Sequence, residues 1–227
     1  TYSGATTINA GTLVLAAHDV IANSSNVNVN GGTLDLGVYS DTVAAVTIGI
    51  NGGSIVSSTG VLTGSSYAFN NTSPSQVSAR LAGAGSVTQA GSGATTLSGL
   101  NSYSGGTFLN AGSLIVASDA SLGDASGSIT FNGGTLNSTA SFTLSAARAI
   151  ALSGNAIFNV NALTTLTFNG TITGSGSLTK TGLGTLILGG NNTYSGSTAI
   201  DAGAITITGS LADTADVTVA SGASYNV

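Results

Sequence analysis

The residues that could form a catalytic triad lie near the start of the chain. His18 is the only histidine, Asp19 follows it, and Ser24 and Ser25 are close by. A triad needs an acid that orients the imidazole and a serine within reach of it. Adjacent strand residues point to opposite faces, and neither serine lies in a G-x-S-x-G turn. We therefore interpret His18 as a solvated turn residue and predict no catalytic residue.

Carboxylate pairs are the second source of possible chemistry. All 8 acidic residues are aspartates, and six of them are close in sequence: Asp35 with Asp41, Asp119 with Asp124, and Asp213 with Asp216. Such pairs can cleave glycosidic bonds or bind calcium. An enzyme that acts on an acidic polysaccharide also needs basic residues to bind its substrate. The 3 cations, Arg80, Arg148 and Lys180, occupy non-equivalent repeat positions and predict no basic stripe. The aspartates are interpreted as turn formers, and a carbohydrate-active β-helix enzyme that uses them remains the alternative function.

The glycine pairs do not form a cofactor site. G-x-G occurs at 83/85, 91/93, 174/176 and 182/184, yet none continues as a dinucleotide fingerprint, a Walker motif or a calcium-binding G-G-x-G-x-D repeat. The chain has 0 cysteines, which excludes disulfides and thiolate metal sites. A net charge of -5 leaves no basic surface for a phosphate backbone. We predict no cofactor, no metal and no nucleic-acid partner.

Three tyrosines recur at one position of a longer repeat. Tyr2, Tyr103 and Tyr194 lie in "TYSGATTINAG", "NSYSGGTFLNAG" and "NNTYSGSTAIDAG". Stacked tyrosines could bind a sugar, but these three are separated by several coils of any solenoid. Each ring is instead expected to cover the apolar edge of its own turn, with its hydroxyl in water.

The repeat extends beyond the tyrosines. The tyrosines are spaced by 101 and then 91 residues, and residues 81–116 align with 172–207 without a gap. Further copies of the "NGGT" phrase occur at 30–33 and 132–135, so repeat copies are assigned near 1–37, 81–139 and 172–227. Because the first residues lie inside a copy, we expect the chain to be a piece of a longer protein.

Apolar residues alternate over short runs, as in Leu34 and Leu36, Leu114 and Val116, or Leu186 and Leu188. A period of two indicates strands with one buried face. With 34 glycines, no glutamate and few other helix formers, helix should be minimal. An antiparallel sandwich or propeller and a parallel solenoid both fit, since "NGGT" suits a hairpin or a solenoid corner. The long repeat favours the solenoid, in which each coil covers the next.

The third copy resembles the passenger-associated transport repeat of autotransporter passenger domains. The residues that match the pattern of this family are Gly174, Gly176, Leu178, Lys180, Gly182, Gly184, Leu186, Leu188, Asn192, Tyr194, Gly196, Thr198 and Gly203. The second copy departs from the pattern with Gln89 in place of the lysine and Thr95 in place of a leucine. The resemblance implies an all-β, right-handed parallel β-helix at the surface of a Gram-negative bacterium. It also implies export through a C-terminal outer-membrane translocator elsewhere in the full-length protein.

These observations predict one β-helix segment over residues 1–227, with about eleven coils of ~20 residues and a rod roughly 50 Å long. No apolar run approaches the ~20 residues of a membrane helix, so the segment itself should not span a membrane. The predicted function is a non-catalytic, extracellular stalk or adhesin segment. Its expected partners are further copies of itself or a host or surface ligand, because few charges oppose association.

Overall fold

The backbone winds into a three-sided parallel solenoid, seen in a computed structural model that describes residues 4–212 and 216–227. Within these residues the first sheet has 10 strands and the second has 11. The third sheet has 5 strands in the same residues, all of them in the C-terminal half. Every strand pair among the described residues is parallel, as in Thr107–Leu109 with Ile129–Phe131. The predicted all-β solenoid is therefore confirmed, whereas its right-handed winding stays a prediction.

The strands are short, because a turn follows every few alternating residues. The first sheet contains Thr6–Ile8, Val27–Val29, Asp41–Ile48, Val61–Phe69, Arg80–Ala82, Val87–Gln89, Thr107–Leu109, Ile129–Phe131, Ile150–Leu152 and Ile172–Gly174. The second contains Thr12–Val14, Thr33–Asp35, Gly53–Val56, Ser75–Val77, Ala94–Leu97, Ser113–Val116, Thr135–Ser138, Ala156–Val160, Leu178–Thr181, Thr198–Ile200 and Val217–Val219. The third contains Phe142–Leu144, Thr165–Phe168, Thr185–Leu188, Ala204–Ile207 and Ser224–Asn226. One 3-10 turn, Asp119–Leu122, is the only helical element in these residues.

The register gives the length of a coil. Thr6 pairs with Val27, Val27 with Val46, and Ile150 with Ile172, so successive coils differ by about 20 residues. The 11 strands of the second sheet are eleven rungs, with about ten turns between the first and the last. This agrees with the predicted number of coils. No helix of the described residues is long and apolar enough to cross a membrane.

The core consists of inward-facing columns that run along the solenoid. Leu166, Leu186 and Ile205 are paired in register on successive coils of the third sheet, and each is fully buried. Their neighbours Thr165 and Thr185 are paired on the outer side of the same strands. Each coil thus shields the apolar side of the next from water, as the alternation predicts.

The glycine-rich motifs form corners and not hairpins. This excludes the antiparallel sandwich or propeller, which the sequence leaves open. Gly31 has φ 112° and Gly133 has φ 140°, values that glycine adopts at little cost. Elsewhere glycine lets two coils approach closely, since a Cβ on Gly176 would lie 2.0 Å from the carbonyl oxygen of Gly154. At these corners the backbones of successive coils are therefore in direct contact.

The repeat copies are not aligned along the solenoid. Val87–Gln89 of the second copy lies in the first sheet, whereas the equivalent Leu178–Thr181 of the third copy lies in the second sheet. Four coil steps lead from Val87 to Ile172, and Leu178 begins the next strand along the chain. The spacing of 91 residues is therefore four coils plus one face. The third copy is rotated about the axis by one face.

Candidate functional site

His18 lies at a corner of the first coil and is held by the coil that follows. Its Nδ1 accepts a hydrogen bond of 3.0 Å from the backbone N–H of Ser40. Its ring meets Tyr39 edge-on, with centroids 5.3 Å apart. An Nδ1 that accepts cannot donate to an orienting carboxylate, which a triad requires. The structure therefore does not join His18 to Asp19 as a catalytic pair.

Asp35 and Asp124 cap turns. Asp35 Oδ1 accepts 2.8 Å from the N–H of Gly37, two residues on. Asp124 Oδ1 accepts 2.9 Å from the N–H and 2.6 Å from the hydroxyl of Ser126. These two hydrogen bonds lower the pKa of Asp124. Both contacts are typical of turn-forming aspartate. Asp213 lies outside the described residues, so the Asp213–Asp216 pair stays an interpretation from sequence.

Asp41 is buried, and sequence reasoning did not identify it as such. It is 1% exposed, and its Oδ2 accepts bonds of 3.0 Å from the N–H groups of both Val20 and Ile21. Burial raises its pKa, and repulsion from Asp19 adds to the effect. Asp41 thus joins two coils at a corner, on a different strand from Asp35, and the two do not form a site.

Arg148 is the most heavily bonded side chain in the described part of the chain. Its Nε donates to Asp119 Oδ1 at 2.7 Å, an ion pair in which the guanidinium is fully buried. Its Nη atoms donate to the backbone carbonyls of Asp119, Leu122, Gly123, Asp124 and Gly127 at 2.8–3.1 Å. All five N–H groups of the fork are therefore directed at the loop of the preceding coil. The arrangement fixes the loop and leaves no part of this cation to meet a substrate.

Lys180 and Gln89, which are equivalent in the repeat, have the same role. Lys180 is fully buried, and its Nζ donates to the carbonyls of Thr181, Gly182 and Ala202 at 2.6–3.3 Å. Gln89 is also fully buried, and its Nε2 donates to the carbonyls of Gly91 and Gly93 at 3.0 and 3.2 Å. Each side chain satisfies corner carbonyls that water cannot reach. The substitution of lysine by glutamine thus keeps the donor and changes the charge.

Lys180 should make stability depend on pH in the alkaline range. Burial lowers its pKa from 10.5 to about 8, and no carboxylate in the described part of the chain forms an ion pair with it to offset the loss of water. Between those values the unfolded chain binds a proton that the folded chain does not. Stability therefore rises with pH, by about 1.4 kcal/mol per unit at most. Urea denaturation from pH 7.5 to 9.5 should show this rise in the wild type.

The matched variant is Lys180→Gln, which copies the second repeat. Its stability should lack this rise, because the amide does not titrate. An equal slope in both proteins over this range would mean that the charge of Lys180 is not desolvated in the fold.

The prediction that the tyrosine hydroxyls face water is wrong. Tyr103 and Tyr194 are fully buried, and their hydroxyls are 2.8 and 2.6 Å from the hydroxyls of Thr107 and Thr198. Burial raises the pKa of both phenols. The threonine four residues on supplies an internal partner, so the ring can turn inward. Tyr2 lies outside the described residues.

The buried side chains of Arg148, Lys180, Gln89, Tyr103 and Tyr194 therefore bond to the backbone or to other internal side chains. Period two alone could have found Lys180, which lies two residues after the inward Leu178. The Tyr-x-x-x-Thr spacing could have suggested a buried hydrogen bond between the tyrosine and threonine hydroxyls. Nothing near Arg148 in sequence indicates its partners, which lie 21 to 29 residues earlier. Among the described residues no group of three His, Cys, Asp or Glu side chains could hold a metal ion.

Comparison with known proteins matches the same repeats. The family model described as passenger-associated transport repeat matches residues 1–15, 87–116 and 178–207. The chain is 37% identical over 142 residues to the adhesin BmaC autotransporter of Brucella suis biovar 1 (strain 1330). The match covers 62% of this chain and spans 4% of the length of that relative. No solved structure matches the chain.

Proposed function

Because the chain carries the passenger-associated transport repeats of an autotransporter passenger domain, we propose that residues 1–227 form one non-catalytic stalk segment of a bacterial surface adhesin. The segment extends a binding region of the full-length protein away from the cell. At about 4.8 Å per coil, its ten turns give a rod roughly 50 Å long. The name of the relative supports the adhesin role.

The observation that carries this proposal is that residues shared by the repeat copies form hydrogen bonds inside the solenoid. Tyr103, Tyr194 and Lys180 are buried and bond within the corners, where they help to close a coil. The second and third copies also face different directions, because one is rotated by a face. Aligned copies would present a row of equivalent binding sites, whereas rotated copies repeat only the way in which a coil is built. That pattern favours an extending element.

The same reasoning extends to the rest of the protein. We propose that the full-length chain lies on the outside of a Gram-negative cell and is exported through a C-terminal outer-membrane translocator. The passenger repeats and the autotransporter relative support this route. The enzyme alternative is weakened by the turn-capping roles of Asp35 and Asp124. Turnover of acidic or neutral polysaccharides by the purified chain, lost on Asp35→Asn or Asp124→Asn, would restore it.

A deletion experiment tests the stalk role. Thr7 pairs with Asn28 and Asn28 with Thr47, so removal of residues 8–47 from the full-length protein takes out two whole coils and keeps the register. We expect surface display and adhesion to persist on a shorter rod. The control, removal of residues 8–37, breaks the register and should abolish display. Loss of adhesion in a displayed, in-register deletion would show that these coils bind a ligand themselves.

Self-association is a second candidate, favoured by an apolar corner. Leu163 and Leu183 are 102% and 73% exposed, and each lies two residues before the paired Thr165 and Thr185. They therefore project side by side from adjacent coils. Lateral contact between two rods would cover them, and little charge opposes that contact.

The double variant Leu163→Asn and Leu183→Ser should reduce association in light scattering across a concentration series. Asparagine suits position 163, where φ is 63°. Val38→Ser is the matched control, because Val38 is also apolar and is exposed at 57%, but it lies several coils away from Leu163 and Leu183. A wild-type chain that stays monomeric at every concentration and salt tested would refute self-association.

A further inference from the structure

One cleft opens at the corner where the chain leaves the second sheet. It has a volume of about 300 Å³ and spans three successive coils. Ser57 and Ser58 line it from the first coil, Ser78 and Arg80 from the second, and Ser98 and Leu100 from the third. The cleft is thus a hydroxyl-rich groove with one cation and one aliphatic side chain.

Among the arginine and lysine side chains of the described residues, Arg80 is the one that a ligand can reach. The sequence has 3 lysines and arginines in all, and Lys180 and Arg148 are buried at 0% and 1% exposure. Arg80 is exposed and donates one bond, of 3.1 Å, to the hydroxyl of Ser102. Among the described residues, no carboxylate forms an ion pair with it. A guanidinium has five N–H donors, so most of the fork remains available for a planar anion.

The serines supply a matched set of polar groups. Ser57 and Ser58 donate to the carbonyl of Gly37 at 2.9 and 2.8 Å, which leaves their oxygens as acceptors. Ser78 and Ser98 follow the paired residues Val77 and Leu97, so their hydroxyls stack one coil apart, about 4.8 Å. Neither hydroxyl has a hydrogen-bond partner among the described residues. The groove therefore offers both donors and acceptors to the hydroxyls of a ligand.

Leu100 completes the groove with an apolar wall. It is 70% exposed and lies at the same corner as Ser98. The C–H face of a pyranose ring is apolar, whereas its edge carries hydroxyls. A ring against Leu100 would therefore direct its hydroxyls toward the serines.

We propose that this cleft binds the terminal sugar acid of a saccharide. Arg80 holds the carboxylate through two parallel N–H bonds, Ser78 and Ser98 bond the ring hydroxyls, and Leu100 covers the ring face. The net charge of -5 repels a polyanion, so the site suits a single terminal carboxylate and not a long acidic polymer. One exposed ion pair in a shallow groove gives weak binding, with a dissociation constant on the order of 1 mM. This inference is independent of the stalk role, since a rod extends the protein whether or not the cleft is occupied.

The test is a titration of the ¹⁵N-labelled chain, followed by amide chemical shifts. Three probes are used: 3′-sialyllactose, lactose and acetate. Lactose lacks the acidic sugar, and acetate has the carboxylate without the ring. Sialyllactose should give saturable shifts at Ser78, Ser98 and Gly99, and the other two probes should bind at least about tenfold more weakly. Glucuronic acid, a second source of the same chemistry, should shift the same amides.

Two variants identify the group responsible. Arg80→Gln should abolish saturable binding, and Arg80→Lys should weaken it about fivefold, because a point charge cannot form the two parallel bonds. An unchanged spectrum away from the cleft shows that each variant is folded. Thr171 and Asn191 are the repeat equivalents of Arg80 and Leu100, so their amides should not shift. The proposal is wrong if acetate or lactose binds as well as sialyllactose, if no saturable shift occurs, or if Arg80→Gln binds normally.

Discussion

Replacement of Arg148 by methionine should destabilise the protein by roughly 3–5 kcal/mol, the usual cost of breaking a buried ion pair. Methionine keeps much of the volume but supplies no donor. Five backbone carbonyls between residues 119 and 127 would lose their partner. The carboxylate of Asp119 would also lose its cation. Urea denaturation monitored by circular dichroism measures the change.

Two further variants separate the ion pair from the carbonyl contacts. Asp119→Asn should cost less than Arg148→Met, because the guanidinium keeps its carbonyl acceptors and Asp119 is itself 22% exposed. Arg148→Lys should remain strongly destabilising, since three ammonium protons cannot reach five carbonyls and a carboxylate. Arg80→Gln, the exposed control, should lie within about 0.5 kcal/mol of the wild type. If Arg148→Met unfolds at the wild-type urea concentration, the buried network does not stabilise the fold.

Leu186→Asp should cost roughly 4 kcal/mol or more, the second large effect. Leu186 is fully buried between Leu166 and Ile205 of the adjacent coils. Aspartate would leave a cavity and place a carboxylate in it without a hydrogen-bond partner. The column continues on both sides, so neither neighbour can move to expose the charge.

The adjacent position gives the matched control. Thr185 is paired with Thr165 and Ala204 on the outer side of the same strands. Thr185→Asp introduces the same charge one residue away, on the opposite face of the sheet, and should cost less than about 1 kcal/mol. Equal losses of stability in the two variants would mean that the assignment of inner and outer faces is mistaken.

The fold could be predicted from sequence because the signals are local and repeated many times. Alternation places Leu114, Val116, Leu186 and Leu188 inside, and the structure buries all four. Glycine-rich motifs mark the corners, and a repeat that is too long for one hairpin favours stacked coils. The rotation of the third copy could not be predicted. It depends on the sum of small differences in coil length over several coils, and along the first sheet this length varies between 19 and 22 residues.

The internal polar groups were predicted less well, for a physical reason. Charged and hydroxylated side chains are usually exposed, so the hydroxyl of Tyr103 was expected in water, and Arg148 and Lys180 were considered only as cations that an acidic substrate could contact. In a solenoid each corner brings carbonyls inward that no strand pairing satisfies, and a long donor can reach them. The partners of Arg148 lie on the preceding coil, so only the stacking reveals them. The cleft at Arg80 likewise combines residues from three coils and has no motif in the sequence.

Distances between spin labels test the central claim, that the chain stacks in register along one axis. The chain has 0 cysteines, so labelled cysteine pairs can be introduced freely. Thr7, Thr47, Thr130 and Thr173 lie on the outer side of the first sheet, and their pairings define the steps between them. The pairs 47/130, 7/130 and 7/173 are separated by four, six and eight coils.

At about 4.8 Å per coil, pulsed electron paramagnetic resonance should give distances of roughly 19, 29 and 38 Å, rising linearly with the number of coils. Distances that do not increase in this order, as in an antiparallel sandwich where distant segments pair again, would contradict the stacked solenoid and the stalk role that rests on it.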